Sequence, residues 1–530
     1  QIDKLTATQV KALTTAQVAA LTAAQVPKLT TTQVAALTAT QVVGLETADL
    51  AALDSSQLRA LNVSALAALS TAQVAAITTA QVSKLSETQV QSLTAAQVTA
   101  MSGAQLKELT TSQVAAMSAA QVKAIETADL AQMSTAQLQS LSNAAVAALS
   151  TGQVAALTTE QTAKLTTAQV SALTNTQITA LTTAQAGALT TAQAAVLTAT
   201  QVKAMETADL AQLAGAKIKT MSLSAVAALS ADQITALGTE QTSNLTTTQV
   251  AALSATQVKA LGTDDLAAFS SSQIQSLSAS GVGSMSTAQV AAITTAQVDK
   301  LTAAQVQALS TAQVAALTNA QVGKLTTGQV AALSAQQIVG METADLAALS
   351  SDQLQSLSAS AVAALSTAQV ASITTAQISK LTANQVKALS STQVAALTEA
   401  QVGELTTAQV SVLSATQVKA LVTADVAKLS TAQIQAVTAS AVAAMSTAQV
   451  KALTTTQAEK LTAAQVASLT ATQVAGLDTE DLAKFSSSQL QALNATTVAA
   501  LSTTQVAALT TDQIDKLTAT QVKALTTAQV

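Results

Sequence analysis

Hydrophobic positions recur along the chain with a period of eight residues. Division of the sequence from Leu5 in steps of eight gives 66 units, which we call octads, the last of them cut short at Val530. The first position of every octad is Leu, Ile, Met, Phe or Val, the fifth is mostly Gln, and the sixth is mostly Val. The frame holds without insertion or deletion, so residues 1–530 are expected to form a single continuous repeat array.

Each octad has the pattern of a helix start. Thr or Ser at position 2 and Gln at position 5 have the spacing of a capping box, in which each side chain accepts from the backbone amide of the other residue. Leu at position 1 and Val at position 6 then have the spacing of a hydrophobic staple. Leu13, Thr14, Gln17 and Val18 show the pattern in one octad. It predicts a helix of about six residues in each octad, followed by a turn at the next Thr or Ser.

Two other folds compete with short helices. In one continuous helix an octad rotates by about 800°, so the Leu row would drift by about 80° per repeat and form no stable apolar face. A β-solenoid is the stronger alternative, because Thr and Val favour strands. However, positions 1 and 6 would lie on opposite faces of a strand, and regular Gly, Asn or Asp turn residues are lacking. We therefore predict an all-α solenoid with one very short helix per octad, and keep the β-solenoid as the alternative.

A second, longer period is marked by acidic residues. Seven octads carry Asp in place of Gln at position 5, at intervals of 80, 80, 56, 80, 80 and 56 residues, which gives a 216-residue super-repeat of 27 octads. These aspartates are Asp49, Asp129, Asp209, Asp265, Asp345, Asp425 and Asp481. Five of the octads also have an acid at position 2, namely Glu46, Glu126, Glu206, Glu342 and Asp478. Two octads after each aspartate, position 5 is small, at Ala65, Ala145, Ala225, Gly281, Ala361, Ala441 and Thr497.

Three interpretations of the acidic octads remain open. A turn of roughly 27 residues would align the seven aspartates in a seam along one side of the solenoid, available for lateral contact between copies. Alternatively, the pairs Glu46 with Asp49, Glu126 with Asp129, Glu206 with Asp209 and Glu342 with Asp345 offer oxygen ligands for calcium, although two carboxylates are few for that ion. The simplest interpretation is that the acids shift the N-cap by one residue, to Thr47 and its equivalents, with the negative charge near the helix N-terminus.

Residues 1–18 recur identically as residues 513–530. The acidic octads also keep their spacing up to the last of them. We therefore expect the chain to be a segment of a longer array.

Composition narrows the possible functions. The chain has no His, Cys, Trp or Tyr and only two Phe, so the usual catalytic bases, thiol nucleophiles and soft metal ligands are missing. We expect no enzyme activity and no cofactor. The net charge of -5 with 10% charged residues argues against binding to nucleic acid. Polar residues interrupt every apolar stretch, so no transmembrane segment is expected.

The LTTAQVAA-type octads resemble octapeptide-repeat regions of very large bacterial surface or secreted proteins, often described as adhesin-like or haem-utilisation proteins. The resemblance covers the whole chain and implies an extracellular or cell-surface location. With the repeat pattern, it favours a structural role as a stiff fibre, stalk or filament subunit that associates with copies of itself. The alternative is a repeated surface that binds ice, glycan or another cell.

Overall fold

The computed structural model describes residues 1–530 and contains 64 short α-helices and no strand. Every α-helix begins at octad position 3 and is four to six residues long. This confirms the predicted all-α solenoid of short helices, with one helix in every octad except residues 21–28 and the incomplete last octad, and the β-solenoid alternative is wrong. The chain divides into two compact units, which we call unit 1 (Gln1–Phe269) and unit 2 (Ser270–Val530).

In unit 1 the α-helices run from Ala7–Lys11 to Thr263–Ala268. Those of four residues are Ala39–Val42, Thr79–Val82 and Thr127–Leu130. Those of five residues are Ala7–Lys11, Thr15–Ala19, Thr71–Ala75, Ala95–Thr99, Gly103–Lys107, Ala119–Lys123, Asn143–Ala147, Asn175–Thr179, Thr191–Ala195, Thr207–Ala211, Leu223–Ala227, Thr239–Ser243 and Thr247–Ala251. The others have six residues, and two 3₁₀ turns lie at Ile2–Lys4 and Val26–Lys28.

In unit 2 the α-helices run from Ser271–Ser276 to Ala519–Ala524. Those of four residues are Thr295–Val298, Asn319–Val322, Thr375–Ile378 and Thr511–Ile514. Those of five residues are Thr311–Ala315, Thr327–Ala331, Ala335–Val339, Ser351–Gln355, Ser391–Ala395, Glu399–Gly403, Thr407–Ser411, Thr447–Lys451, Ala471–Ala475, Thr479–Ala483, Ala495–Ala499 and Thr503–Ala507. The others have six residues. No helix of the chain is both long and apolar enough to span a membrane.

Reciprocal capping fixes where the helices start. The Thr14 hydroxyl accepts from the Gln17 amide at 3.2 Å, while Gln17 Oε1 accepts from the Thr14 amide at 2.9 Å. In unit 2 the corresponding distances between Ser446 and Gln449 are 3.2 and 2.8 Å. The predicted capping box is therefore present in both units. It satisfies two of the backbone amides that a helix N-terminus leaves without a partner.

The apolar positions form the core of each unit. Val at position 6 and Leu at position 1 are buried throughout both arrays, except near the chain ends. Met205 and Met341 replace Leu at position 1 and are equally buried, as is Phe485. Each fully buried side chain of this kind contributes about 1.5–3 kcal/mol. Because an octad has only two such side chains, its helix depends on the turns stacked against it.

The glutamine at position 5 links each turn to the preceding one. Gln169 Nε2 donates to the carbonyl oxygens of Leu138 at 2.8 Å and Leu141 at 2.9 Å, which lie 31 and 28 residues earlier. In unit 2, Gln449 Nε2 donates to Val418 at 2.9 Å and Leu421 at 2.7 Å. The Oε1 atom of the same side chain accepts the backbone amide in the capping box. One glutamine side chain therefore satisfies an amide at a helix start and two carbonyls of the preceding turn.

These contacts repeat along both units, and we call them the glutamine ladder. It comprises the position-5 glutamines that donate to the carbonyl oxygen 28 residues earlier in the same unit, from Gln33 to Gln257 in unit 1 and from Gln305 to Gln529 in unit 2. Gln169 and Gln449 are 1% and 3% exposed. The ladder is thus a buried polar layer in which the amide groups are satisfied, as buried polar groups must be.

The residue separations of hydrogen bonds between turns limit the number of residues in one turn. Besides the ladder separations of 28 to 31 residues, a second set joins residues 25 apart. Thr179 Oγ1 donates to the Ala204 carbonyl at 3.0 Å, and Gln355 Nε2 donates to the Lys380 carbonyl at 2.9 Å. Neighbouring turns therefore meet at separations between three and four octads, a range that includes the predicted 27 residues.

One complete octad lacks an α-helix. In residues 21–28 the chain forms a turn followed by the 3₁₀ segment Val26–Lys28, with Pro27 at octad position 7. Proline has no amide hydrogen, and its ring clashes with the carbonyl four residues earlier in a helix. Even so, the carbonyl oxygens of Pro27 and Leu29 accept from Gln57 Nε2 at 3.0 and 2.6 Å. The ladder therefore continues across this octad although its helix is lost.

Replacement of Pro27 by alanine should restore a helix in this octad. We expect the substitution to stabilise the first turns of unit 1 by about 1–3 kcal/mol, because it removes the steric clash and returns a donor to the backbone. Hydrogen exchange at the amides from Gln25 to Leu29 is the measurement. Pro27→Gly serves as the control, since it also restores the amide but favours helix less. Equal exchange in the wild type and the alanine variant would contradict this explanation.

Candidate functional site: the acidic octads

The seven aspartates of the super-repeat occupy the glutamine position of the buried polar layer. Six of them are between 1% and 6% exposed, and Asp129 is half-buried. The acids at position 2 of the same octads are exposed, at Glu46, Glu126, Glu206, Glu342 and Asp478. Each acidic octad that carries both therefore has one surface carboxylate and one carboxylate within the polar layer. The sequence alone did not predict this difference.

Asp49 and Asp345 perform only part of the role that glutamine has at position 5. Asp49 Oδ2 accepts from the Glu46 amide at 3.0 Å, and Asp345 Oδ2 accepts from the Glu342 amide at 3.1 Å. These contacts reproduce the acceptor half of the capping box. An ionised carboxylate has no donor, so it cannot supply the ladder bonds to the carbonyls below.

The predicted shift of the N-cap to Thr47 is wrong. Glu46 is the N-cap, with an extended backbone at φ -73° and ψ 158°, and the helix is Thr47–Ala52. Glu126, Glu206, Glu342 and Asp478 occupy the same position in their octads. The start stays at position 3 because the buried residues at positions 1, 5 and 6 fix the frame of the octad, so a better capping residue at position 3 does not move it.

Two of the buried aspartates each have one carboxylate oxygen without a hydrogen-bond partner. Asp209 Oδ2 and Asp425 Oδ1 are buried without a hydrogen-bond partner. Burial raises the pKa of Asp209 above the usual aspartate range; the Thr183 hydroxyl offsets part of this increase and Glu206 adds to it. Burial also raises the pKa of Asp425, which the Val422 amide lowers in part. These groups are therefore more readily protonated than ordinary surface aspartates.

The pKa is raised in the same direction at two further aspartates. Burial raises the pKa of Asp345, the hydrogen bond from the Glu342 amide lowers it in part, and the Glu342 charge raises it. Burial likewise raises the pKa of Asp481, with the Thr455 hydroxyl acting in the opposite direction and Asp478 adding to the rise. In these four octads the carboxyl group at position 5 is buried, and burial raises its pKa.

The geometry bears on the calcium and seam interpretations. Nowhere in the chain do three or more acidic side chains come close enough to hold a metal ion. In the Glu46 and Asp49 pair, the first carboxylate is exposed, while the second is buried and accepts a backbone amide. The seam remains a prediction, but most of its aspartates are buried. The exposed acids at position 2 are therefore the groups of these octads that a neighbouring copy would meet.

Other residues replace the missing glutamine donor at particular octads. Lys217 occupies position 5 and donates through Nζ to the Gly187 carbonyl at 2.6 Å. Where position 5 is Ala65, the N-cap Asn62 donates to the Leu37 carbonyl at 2.8 Å. The donor to carbonyls of the turn below is thus supplied by several residue types.

The ladder is the functional feature that sequence reasoning missed. A capping box accepts Glu or Gln at N3, yet position 5 is never Glu in this chain. That preference was the available signal, since only the amide has a donor as well as an acceptor.

Comparison with known families identifies the repeat. A family model described as ALTTAQ repeat matches residues 1–31, 42–79, 122–159, 202–239, 258–295, 282–311, 290–327, 298–335, 338–375, 418–455, 474–511 and 482–519. Together these matches span more than half of the chain. Comparison with curated proteins gave no significant match.

Proposed function

We propose, from the premise that the chain belongs to the ALTTAQ repeat family, that it is a non-enzymatic structural protein. In this role it forms a stiff extracellular fibre, stalk or filament subunit. The extracellular or cell-surface location rests on the resemblance of its octads to repeat regions of large bacterial surface proteins. The partners in this proposal are copies of the chain itself, which meet along the exposed parts of the acidic octads.

The glutamine ladder is the observation that carries the proposal. Within each unit, every ladder glutamine donates hydrogen bonds to at least two carbonyls of the preceding turn, as Gln169 does to the carbonyls of Leu138 and Leu141. Bending or stretching the stack would separate these buried donors and acceptors, and an unsatisfied buried group costs about 1–3 kcal/mol. Local deformation therefore breaks hydrogen bonds that water does not readily replace. Such a ladder suits a protein whose task is to keep its shape under load.

The test compares the full chain with a variant that lacks one super-repeat. Deletion of residues 270–485 removes 27 complete octads and joins Phe269 to Ser486, so the residues flanking the junction are the same types as before. By electron microscopy, we expect thin rods of one diameter, with the length of the variant reduced in proportion to the residues removed. Particles that shrink equally in all directions would contradict the fibre role.

A repeated binding surface is the second candidate function. Threonines at octad position 3, such as Thr151 and Thr367, are exposed, and regular hydroxyls on a rigid scaffold can contact ice or glycans. Thermal hysteresis or retention on a glycan array would favour this function. Its signal should fall when exposed position-3 threonines are replaced by lysine, which keeps the helix but changes the surface.

A further inference from the structure

The acidic octads interrupt the glutamine ladder at regular intervals. In unit 1, the carbonyls of Ile178 and Leu181 lie 31 and 28 residues before Asp209, where a ladder glutamine would reach them. In unit 2, Val394 and Leu397 have the same relation to Asp425. At these places a carboxylate stands where the ladder elsewhere has an amide donor. The local set of polar groups is rich in acceptors and poor in donors, which is costly in a buried layer.

The unpartnered atoms lie within this layer. Asp209 and Asp425 are 3% and 1% exposed, and one carboxylate oxygen of each has no hydrogen-bond partner. In Asp425 the other oxygen, Oδ2, accepts from the Val422 amide at 3.1 Å, as glutamine Oε1 does in the capping box. Its Oδ1 is therefore the counterpart of the glutamine Nε2, with an acceptor in place of a donor.

We propose that Asp209, Asp345, Asp425 and Asp481 are proton-operated joints of the solenoid. Uptake of one proton by each carboxylate gives a neutral carboxyl group with one O–H donor, so the buried charge disappears and the donor missing from the octad is supplied. At these joints, the contact between neighbouring turns is weaker when the aspartate is ionised and stronger when it is protonated. The inference concerns the stacking of turns and does not depend on the proposed fibre function.

The charged groups around Asp209 and Asp345 favour protonation. The helix Thr207–Ala211 packs against Thr183–Ala188, which has no titratable group, and Ala231–Ala236, which carries the exposed Asp232. Glu206 adds a further negative charge beside Asp209. The helix of Asp345 packs against Asn319–Val322 and Thr367–Ser372, neither of which carries a titratable residue, and the adjacent charge is Glu342. No cation on these packed helices neutralises either aspartate.

Asp425 lies between helices that carry both signs of charge. Its helix packs against Glu399–Gly403 and Thr447–Lys451. Glu399 raises its pKa, while Lys428 is directed to Glu399 in an exposed pair at 3.8 Å. The remaining cation, Lys451, is also exposed and lies 3.8 Å from Asp478.

Around Asp481, negative charges again predominate close to the carboxyl group. Its own octad contributes Asp478 and Glu480, which raise the pKa. Its helix packs against Thr455–Lys460, where Glu459 and Lys460 pair with each other at 2.9 Å, and against Thr503–Ala507, which has no titratable residue. The neighbouring charges therefore add to the effect of burial.

The direction of the pH dependence follows from these pKa changes. An aspartate whose pKa is higher in the folded than in the unfolded chain stabilises the fold when protonated. That contribution is fully present below the unfolded aspartate pKa and is lost as the pH rises through the higher folded value. Acidification from neutral pH towards the ordinary aspartate value should thus tighten the joints.

The test uses the full chain and the quadruple variant Asp209→Gln, Asp345→Gln, Asp425→Gln and Asp481→Gln. Each substitution installs the residue that most octads already have, so the variant should fold. When the pH is lowered from 7 to 4.5, we expect the Tm of the wild type to rise by about 2–5 °C relative to the Tm of the variant. At pH 7 the variant should have the higher Tm. The proposal is overturned if both proteins show the same pH response.

A matched control removes four exposed acids, by the substitutions Glu87→Gln, Glu108→Gln, Glu160→Gln and Asp352→Asn. This control should keep the acid-induced rise, and loss of the rise would overturn the assignment to the buried groups. Carboxyl ¹³C resonances of labelled aspartate give a direct reading, with four signals that titrate above the usual aspartate range and are absent from the quadruple variant. If calcium or sodium ions at pH 7 raise the Tm of the wild type alone, the joint binds a metal cation and the proton assignment is wrong.

Discussion

Replacement of Gln169 by alanine is expected to reduce the local free energy of unfolding by about 2–5 kcal/mol. The substitution removes the Nε2 donor from the carbonyls of Leu138 and Leu141, of which the Leu138 carbonyl keeps its bond from the Leu141 amide, and it removes the acceptor of the Thr166 amide. Both carbonyls belong to buried residues, so water cannot readily replace the lost bonds. Native-state hydrogen exchange around residues 138–173 measures the change where it occurs.

Thr166→Ala is the matched control because it acts in the same octad. It removes only the hydroxyl that accepts from the Gln169 amide at 3.1 Å, and loss of an N-cap of this kind costs about 1 kcal/mol. Gln169→Glu gives a second comparison, since it keeps the acceptor but replaces the donor with a buried charge. We expect the glutamate variant to have a lower local free energy of unfolding at neutral pH than at acidic pH. A loss in Gln169→Ala no greater than in Thr166→Ala would show that the ladder bonds contribute nothing.

The start of each helix could be predicted from the sequence because its determinants are local. Thr14 and Gln17 lie three residues apart, and the two hydrogen bonds between them depend on nothing outside the octad. The same is true of the burial of Leu and Val, which follows from their period. The short helices and the all-α class therefore follow from residues that are close together along the chain.

The ladder and the burial of the aspartates could not be predicted in the same way. Gln169 is buried because its side chain packs against the preceding turn, where it donates to the carbonyls of residues 138 and 141. Which residues of the preceding turn it meets depends on the number of octads in a turn. Glutamine and aspartate are both usually exposed, so residue type gives no hint that Gln169 or Asp49 is buried. The octad of Asp49 also keeps the common frame at Glu46, because packing between turns outweighs the local preference for a threonine cap.

The frame of eight residues should matter more than the number of residues. Gln177, Gln185 and Gln193 each donate to carbonyls 28 and 31 residues earlier. One alanine inserted between Ala172 and Leu173 changes all of these separations by one residue. Each of these six hydrogen bonds is worth about 0.5–1.5 kcal/mol, so we expect a local loss of roughly 3–9 kcal/mol.

Insertion of a complete octad at the same place is the control that separates frame from length. A second copy of residues 165–172 also changes the distance along the chain, but each glutamine then meets a carbonyl from the same octad positions as before. We expect this variant to unfold at nearly the wild-type denaturant concentration, while the single-residue insertion unfolds earlier and loses exchange protection from residue 146 to residue 201. Tolerance of both insertions would mean that the turns are held by apolar packing alone. Sensitivity to one residue and tolerance of eight would follow directly from a buried ladder, because only the shorter insertion places donors opposite the wrong backbone groups.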